Sequence, residues 1–372
     1  MTEKDKILHP RREFLSEFIE IAGKRGLEIG PLASPLITKE DLKDDGGIFY
    51  LDHLPEDELK EKYRSDKSIK IDEIVPVDFI CPDGDILKAV NECRFDYIIA
   101  SHVIEHSPNM LKFLADLHEI LLPGGVLFLV IPDMRFTFDK NRAETTFGEL
   151  LEKFLLNPKR PSIAAVYDHF AMACNANGHN LWHGIINKED SELLVSEDFA
   201  WEAANRVYNE KLYLDVHVNV FTPASFFGIL KKALLHNLVQ FQVDRFQDTA
   251  IGQIEFMVVL KKTTDNEQIN AKAYCMQSIP YFGLDSLLSP YMPQVKALSE
   301  ALQTSTKISE NLQKEINELQ DRISNRENSL NKLRADLNLA RAILNRKSVR
   351  MALTLVDRSY NFFKVRERKQ KR

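Results

Sequence analysis

Acids, glycines and histidines in this chain cluster where apolar runs stop. GLEIGP, Gly26 to Pro31, sets Glu28 just ahead of a glycine turn at Gly30. IFYLDHL ends in Asp52, VPVDFI carries Asp78, and FDYIIAS runs into Ser101-His102. An acid at the end of a strand is placed to accept hydrogen bonds from ribose hydroxyls, which suits Asp52. A buried acid such as Glu28 needs a cationic or hydrogen-bonding partner, and the ammonium group of an amino-acid-bearing ligand would serve. Asp78 and Phe79 are placed to bind an adenine amino group and stack on its ring. Histidine is the usual proton acceptor near neutral pH, and the candidates are His102, His106, His169, His179, His183 and His217. His102, Glu105 and His106 could supply part of a metal site, since carboxylate and imidazole suit several divalent ions. No further ligand can be named, and no metal is assigned.

These residues need elements to hold them. Short apolar runs at Leu27, Ile48 to Leu54, Val75 to Ile80, Phe95 to Ser101 and Gly124 to Asp133 alternate with helix-like segments. That order predicts a parallel sheet covered on both faces, binding ligands beyond the carboxyl ends of its strands. Phe14, Leu15, Phe18 and Ile19 have helical spacing ahead of the first strand. Pro31 and Pro35 delay or shorten the helix expected after it. Asp85 to Cys93 and Asn109 to Leu122 read as helices, the second stopped by Pro123-Gly124-Gly125. From about 134 to 219 the alternation lapses into an insertion of the kind that forms lids or binding loops. FTPASFFGILKKALL then opens a helix with Thr222 as N-cap and Pro223 in the first turn. LVQFQVDRF and IEFMVVLKK suit an antiparallel pair at the sheet edge.

The order and spacing of these motifs resemble the class I S-adenosylmethionine-dependent methyltransferases. FDYIIASHVIEH followed by LHEILLPGGVLFLVIPD carries most of the likeness, which covers Gly26 to Asp133 and extends to Lys262. The resemblance implies a doubly wound, mostly parallel seven-stranded Rossmann-like sheet over 1–262. It implies S-adenosylmethionine as cofactor, contacted by Glu28, Gly30, Pro31, Asp52, His53, Asp78, Phe79, Ser101 and His102. The family often has a glycine-richer first loop; here Gly30 is followed by Pro31-Leu32-Ala33-Ser34-Pro35. IPDMRFTFD and DVHVNVFTPASF further resemble methyltransferases found with bacterial surface-polysaccharide genes, implying O-methylation of a glycan or its precursor. A sugar hydroxyl is a poor nucleophile and needs a base within hydrogen-bond reach, for which His106 and His179 come first, with His102 beside them. Trp182 and Tyr167 are candidates to stack on a sugar face, with core packing the simpler reading. The rival readings are a small-metabolite or lipid methyltransferase, and a non-catalytic scaffold with a degenerate cofactor fold.

The bulk properties agree with a globular chain. It has 372 residues, 44% hydrophobic and 28% charged, with a net charge of -6 that argues against general nucleic-acid binding. Four scattered cysteines indicate neither a disulfide framework nor a zinc site, and a cytoplasmic location is expected. Residues 263–293 read as a linker. Over 294–346 a heptad pattern, with Val295, Leu302, Ile316, Ile323, Leu330, Leu337 and Leu344 at one seam position, predicts a coiled coil and a homo-oligomer. The tail, 347–372, is basic and amphipathic, which suits peripheral contact with the inner face of a membrane.

Overall fold

The computed structural model describes residues 10–19, 21–42, 46–182, 189, 192–263, 271–280, 282, 348, 351–352 and 354–357, without the side chains of 179 and 271–274. The chain divides into two compact units, 1–298 and 299–372. In the second, the described residues are helical and exposed. The heptad run lies outside the described residues, as does most of the basic tail. No helix among the described residues is long and apolar enough to cross a membrane.

The first unit is built on a seven-stranded sheet: β1 (Arg25–Ile29), β2 (Gly47–Asp52), β3 (Phe79–Ile80), β4 (Phe95–Ser101), β5 (Leu121–Pro132), β6 (Phe241–Gln247) and β7 (Glu255–Lys262), in the order β3-β2-β1-β4-β5-β7-β6. The first five run parallel. β7 lies antiparallel to both β5 and β6, so β7 is interior and β6 forms the edge. The crossover direction reverses between β1 and β4, where ligand crevices open in such sheets.

Strict alternation sorts the strands' side chains onto two faces. Leu27, Ile29, Ile98, Ala100, Leu127 and Leu129 pack under α3 (Ile86–Val90), α4 (Met110–Ile120) and α9 (Pro223–Leu235). Tyr50, Tyr97, Ile99, Phe128 and Val130 face the other way, against α1 (Pro10–Ser16) and Leu36-Ile37. Side-chain oxygens begin three helices: Asp85 caps α3, Asn109 caps α4, and Thr222, the expected N-cap, forms a reciprocal cap with Ser225 on α9.

The connection after β1 departs from a doubly wound sheet. Among its described residues there is only a single tight turn, Lys39–Asp41. Pro31 and Pro35 lack the N–H donors that a helix there would need, and the covering layer is left to α1 and the loop itself.

Gly26 and Tyr97 pair across β1 and β4, and a Cβ on Gly26 would lie 2.1 Å from the Tyr97 ring. The Tyr97 hydroxyl is buried without a hydrogen-bond partner among the described residues. Gly26→Ala is therefore expected to destabilise the unit by about 1–3 kcal/mol through overpacking. Tyr97→Phe should leave stability level or slightly higher, since the lost hydroxyl has no bond to lose. Denaturant unfolding of the two variants checks this, and a neutral Gly26→Ala would contradict the packing.

Candidate functional site

A cavity of about 450 Å³ opens at the carboxyl ends of β1, β2 and β4. Its inner wall is Ile29-Gly30, Leu51-Asp52-His53, Cys81 and His102-Val103. Tyr63, following α2 (Glu56–Lys62), Asn109 and Lys112 line it further, and the insertion adds Asn157, Lys159, Tyr213 and Asp215. Gly30 takes a left-handed conformation (φ 63°), and a side chain there would be strained. The turn lets the backbone pass beside the cavity. Asp52 Oδ1 accepts the His53 backbone N–H at 2.7 Å and lies 2.5 Å from His53 Nδ1; Oδ2 has no partner among the described residues.

His102 follows β4 in a left-handed conformation (φ 55°), with its backbone N–H bonded to Val130 O on β5. Its Nε2 is 2.6 Å from Oε2 of Glu255, the first residue of β7. Arg11 donates to both oxygens of the same carboxylate, at 2.6 Å each. Burial alone would raise the Glu255 carboxyl; the bonds from His102 and Arg11 outweigh it and hold it at about 2.

One short turn beyond, Ile104–His106 brings up a second histidine. His106 Nδ1 lies 2.8 Å from Asp215 Oδ1, off the line of a well-aligned hydrogen bond. Burial opposes a charge on His106, but the Asp215 and Glu105 carboxylates outweigh it and raise its pKa. Asp215 is correspondingly lowered in spite of its own burial.

Asp215 reaches the cavity because DVHVNV alternates. Val216 and Val218 bury against α6 (Ile163–Met172) and α8 (Glu197–Glu210), while Asp215, His217 and Asn219 face other partners. Val218 and Asn219 donate their backbone N–H groups to Glu105 O, and Asn219 Nδ2 donates to Ile104 O and Ser107 O. His217 Nδ1 sits 2.5 Å from Asp139 Oδ2, and Arg142 pairs with the other oxygen at 2.9 Å. These partners hold the Asp139 carboxyl low against its burial.

Of the residues expected to bind a cofactor, Gly30, Asp52, His53 and His102 meet at this cavity. Pro31 and Ser101 adjoin it without lining it; Ser101 Oγ instead accepts a bond from Arg11. Glu28 is elsewhere. Because Ile29 faces the cavity side of the sheet, Glu28 faces the opposite layer, where its carboxylate accepts the backbone N–H groups of Leu36 and Ile37 at 2.7 and 3.2 Å. The hydrogen-bonding partner that its burial requires is the loop after β1, rather than a ligand's ammonium group. Asp78 and Phe79 are likewise displaced. Strand β3 begins only at Phe79, paired with Leu51, so its carboxyl end falls at Cys81 to Gly84. Asp78 accepts the Tyr50 N–H, and Phe79 packs on Phe49 and Phe95. The run VPVDFI and β3 share their end at Ile80, but Asp78 precedes the strand and Phe79 begins it, so neither lies beyond its carboxyl end.

Among the proton-acceptor candidates, His102 and His106 line the cavity together. His169 accepts the His217 backbone N–H and is pushed down to about 4, chiefly by burial. The His179 side chain and His183 lie outside the described residues. Trp182 stacks on Phe136 at 4.1 Å and donates to Gln253 O, Tyr167 donates to Glu197 on the surface, and neither lines the cavity. Sequence reading missed Arg11, Asp139, Asp215 and Glu255. The only available signal was the acid of DVHVNV alternating with a histidine.

A family model described as a methyltransferase domain matches residues 38–184. Curated proteins gave no match. Among solved structures, the chain resembles the CurJ carbon methyltransferase with 13% identity and a TM-score of 0.32, covering 67% of this chain and 51% of that one. It thus spans about half the length of that relative. A SAM-dependent methyltransferase from Aquifex aeolicus has 12% identity and a TM-score of 0.34, covering 70% and 94%. A 1,6-didemethyltoxoflavin-N1-methyltransferase from Burkholderia thailandensis, with S-adenosylhomocysteine bound, has 13% identity and a TM-score of 0.35, covering 70% and 80%. Likeness at these scores decides nothing further about this chain.

Burial raises the Glu28 carboxyl from 4.5 to about 7, against the two backbone bonds that lower it. The folded chain therefore holds this proton where the unfolded chain has lost it. Stability from this group falls as pH rises from 4.5 to about 7, and is level above that. Relative to Glu28→Gln, the wild type should lose up to roughly 3 kcal/mol between pH 5 and pH 8. Urea unfolding at the two pH values measures it, and a difference independent of pH would refute the assignment.

Proposed function

We propose that this chain, a methyltransferase enzyme whose cofactor is S-adenosylmethionine, methylates a hydroxyl oxygen of a glycan or glycan precursor. The observation that carries the hydroxyl assignment is His102, an imidazole fixed by a buried carboxylate at the strand end where the cofactor and acceptor must meet.

The cavity's residues fit the cofactor. Asp52 offers a carboxylate oxygen to ribose hydroxyls. The turn at Gly30 gives close backbone approach, and Ile86, Leu51 and Cys81 give an apolar wall for the adenine. When bound, the cofactor supplies an electrophilic methyl group on a sulfonium sulfur. The protein's part is alignment and proton removal. Glu255 accepts from His102 Nε2, which directs the lone pair on Nδ1 away from Arg11 and makes it the proton acceptor. Arg11 balances the Glu255 charge, so that carboxylate orients the ring. Both histidines set one ring nitrogen against a carboxylate and the other near Glu105, at 3.6 Å for His102 and 4.0 Å for His106. His102 is preferred because it directly follows β4 and its bond to Glu255 is the better formed.

The outer cavity supports a sugar as acceptor. Tyr63 and Tyr213 offer aromatic faces, and Asn109, Asn157, Lys159 and Asp215 offer donors and acceptors of the number and mixture that a polyhydroxylated ring requires. The likeness of IPDMRFTFD and DVHVNVFTPASF to surface-polysaccharide methyltransferases points the same way. The heptad run would join copies of the chain, and the basic tail would hold them at an anionic membrane surface.

Transfer of a labelled methyl group from S-adenosylmethionine to oligosaccharides, phenols and lipids, followed by mass spectrometry, tests the acceptor class. An O-methyl sugar is expected, and label confined to phenol, lipid or carbon would overturn the reading. His102→Gln should lower kcat by about 10²–10⁴ while calorimetry finds cofactor affinity within tenfold of wild type. Asp52→Ala should show the reverse pattern, weakening cofactor binding by about 1–3 kcal/mol. Removal of residues after Val295 should leave a folded, cofactor-binding monomer, and a fragment still oligomeric by light scattering would take assembly away from the heptads.

A further inference from the structure

Behind the cavity wall, Glu105 is 1% exposed, and neither carboxylate oxygen has a hydrogen-bond partner among the described residues. An ionised carboxylate left this way costs several kcal/mol unless a cation reaches it. Among the described residues, His102 Nδ1 lies 3.6 Å and His106 Nε2 4.0 Å from Glu105 Oε1, both beyond hydrogen-bond range. Protonating either ring would offset the charge without bonding the oxygens.

Two imidazoles flank this carboxylate in the same manner. His106 turns Nδ1 to Asp215 and Nε2 toward Glu105. His217 turns Nδ1 to Asp139, leaving Nε2 as its free donor, and its ring meets His106 edge-on with centroids 4.7 Å apart. One donor atom each from Glu105, His106 and His217 lie within 4.8 Å of one another. A histidine whose far nitrogen is held by a carboxylate is the usual form of a metal-binding imidazole, because that bond fixes the tautomer and strengthens the donor. Here His217 has it, and His106 has the Asp215 carboxylate 2.8 Å from its far nitrogen without a well-aligned bond. Around them Glu105, Asp139 and Asp215 outnumber their cationic partners, Arg142 and the surface Lys62.

We infer that Glu105, His106 and His217 form a site for a divalent first-row transition cation, with Asp215 and Asp139 orienting the two imidazoles. Two nitrogens and one carboxylate select zinc, manganese or iron over magnesium or calcium, which prefer all-oxygen sites. Metal–ligand bonds of about 2.0–2.2 Å require the three donors to close in by roughly an ångström, within reach of side-chain rotation. The ion would tie the loop after β4 to the insertion, since Glu105 and His106 come from the first and His217 from the second. His106 lines the cavity, so the ion also fixes that part of its wall. The site does not depend on the acceptor being a sugar.

The test uses the full chain stripped with a chelator and titrated with Co²⁺, read by visible d–d absorption and equilibrium dialysis. One Co²⁺ per chain is expected, displaced by Zn²⁺ and accompanied by a higher melting temperature. Glu105→Gln should weaken binding at least a hundredfold and abolish the melting shift. Its backbone carbonyl, which holds Val218 and Asn219, is retained, and circular dichroism checks the fold. Asp139→Asn should weaken binding about 10–100-fold. If Glu105→Gln does not fold, His106→Gln takes its place. No d–d absorption in the wild type, or Co²⁺ binding undiminished in Glu105→Gln or His106→Gln, would overturn the inference.

Discussion

Two backbone N–H groups converge on one carbonyl: Val218 and Asn219 both donate to Glu105 O, at 2.7 and 3.0 Å. Buried amide groups must find such partners, and this pair fastens the end of a long insertion to the loop after β4. The side-chain amide of Asn219 reinforces the join at Ile104 O and Ser107 O. The rest of the site depends on this fastening. It brings Tyr213 and Asp215 to the cavity and His217 beside His106, making one wall from segments more than a hundred residues apart.

The site's electrostatics follow a repeated form, a histidine backed by a carboxylate. Glu255 backs His102, Asp215 stands against His106, and Asp139 backs His217. In each pair burial would favour the neutral acid, and the adjoining imidazole or guanidinium reverses that preference. Arg11 and Arg142 neutralise two of the three carboxylates. Among the described residues, Glu105 has neither ring nor arginine within bonding distance, which distinguishes it from the orienting acids around it.

Glu28 illustrates a different economy. It is a buried acid in a parallel strand, and the lack of a crossover helix among the described residues after β1 explains how it is tolerated. A loop in place of a helix has backbone N–H groups unclaimed by internal bonds, and Leu36 and Ile37 direct theirs at the carboxylate. The prolines that prevent the helix thus also provide the acid with partners.

Much of the sheet was legible in the sequence because its evidence is local. Apolar runs and the cap at Thr222 are properties of a few adjacent residues, whereas the helix expected to stop at Pro123-Gly124 ends at Ile120, and those two residues lie within β5. The turn at Gly30 and the acid at Asp52 were legible for the same reason, since strand ends define where a parallel sheet binds ligands. Which face Glu28 occupies, and where β3 begins, depended on register, and a shift of one residue reverses a side chain's direction. The pairing of His102 with Glu255, and of His217 with Asp139, could not be read at all. Those partners are 153 and 78 residues apart, and only the packing of β7 beside β5 and of the insertion on the β4 loop brings them within bonding distance.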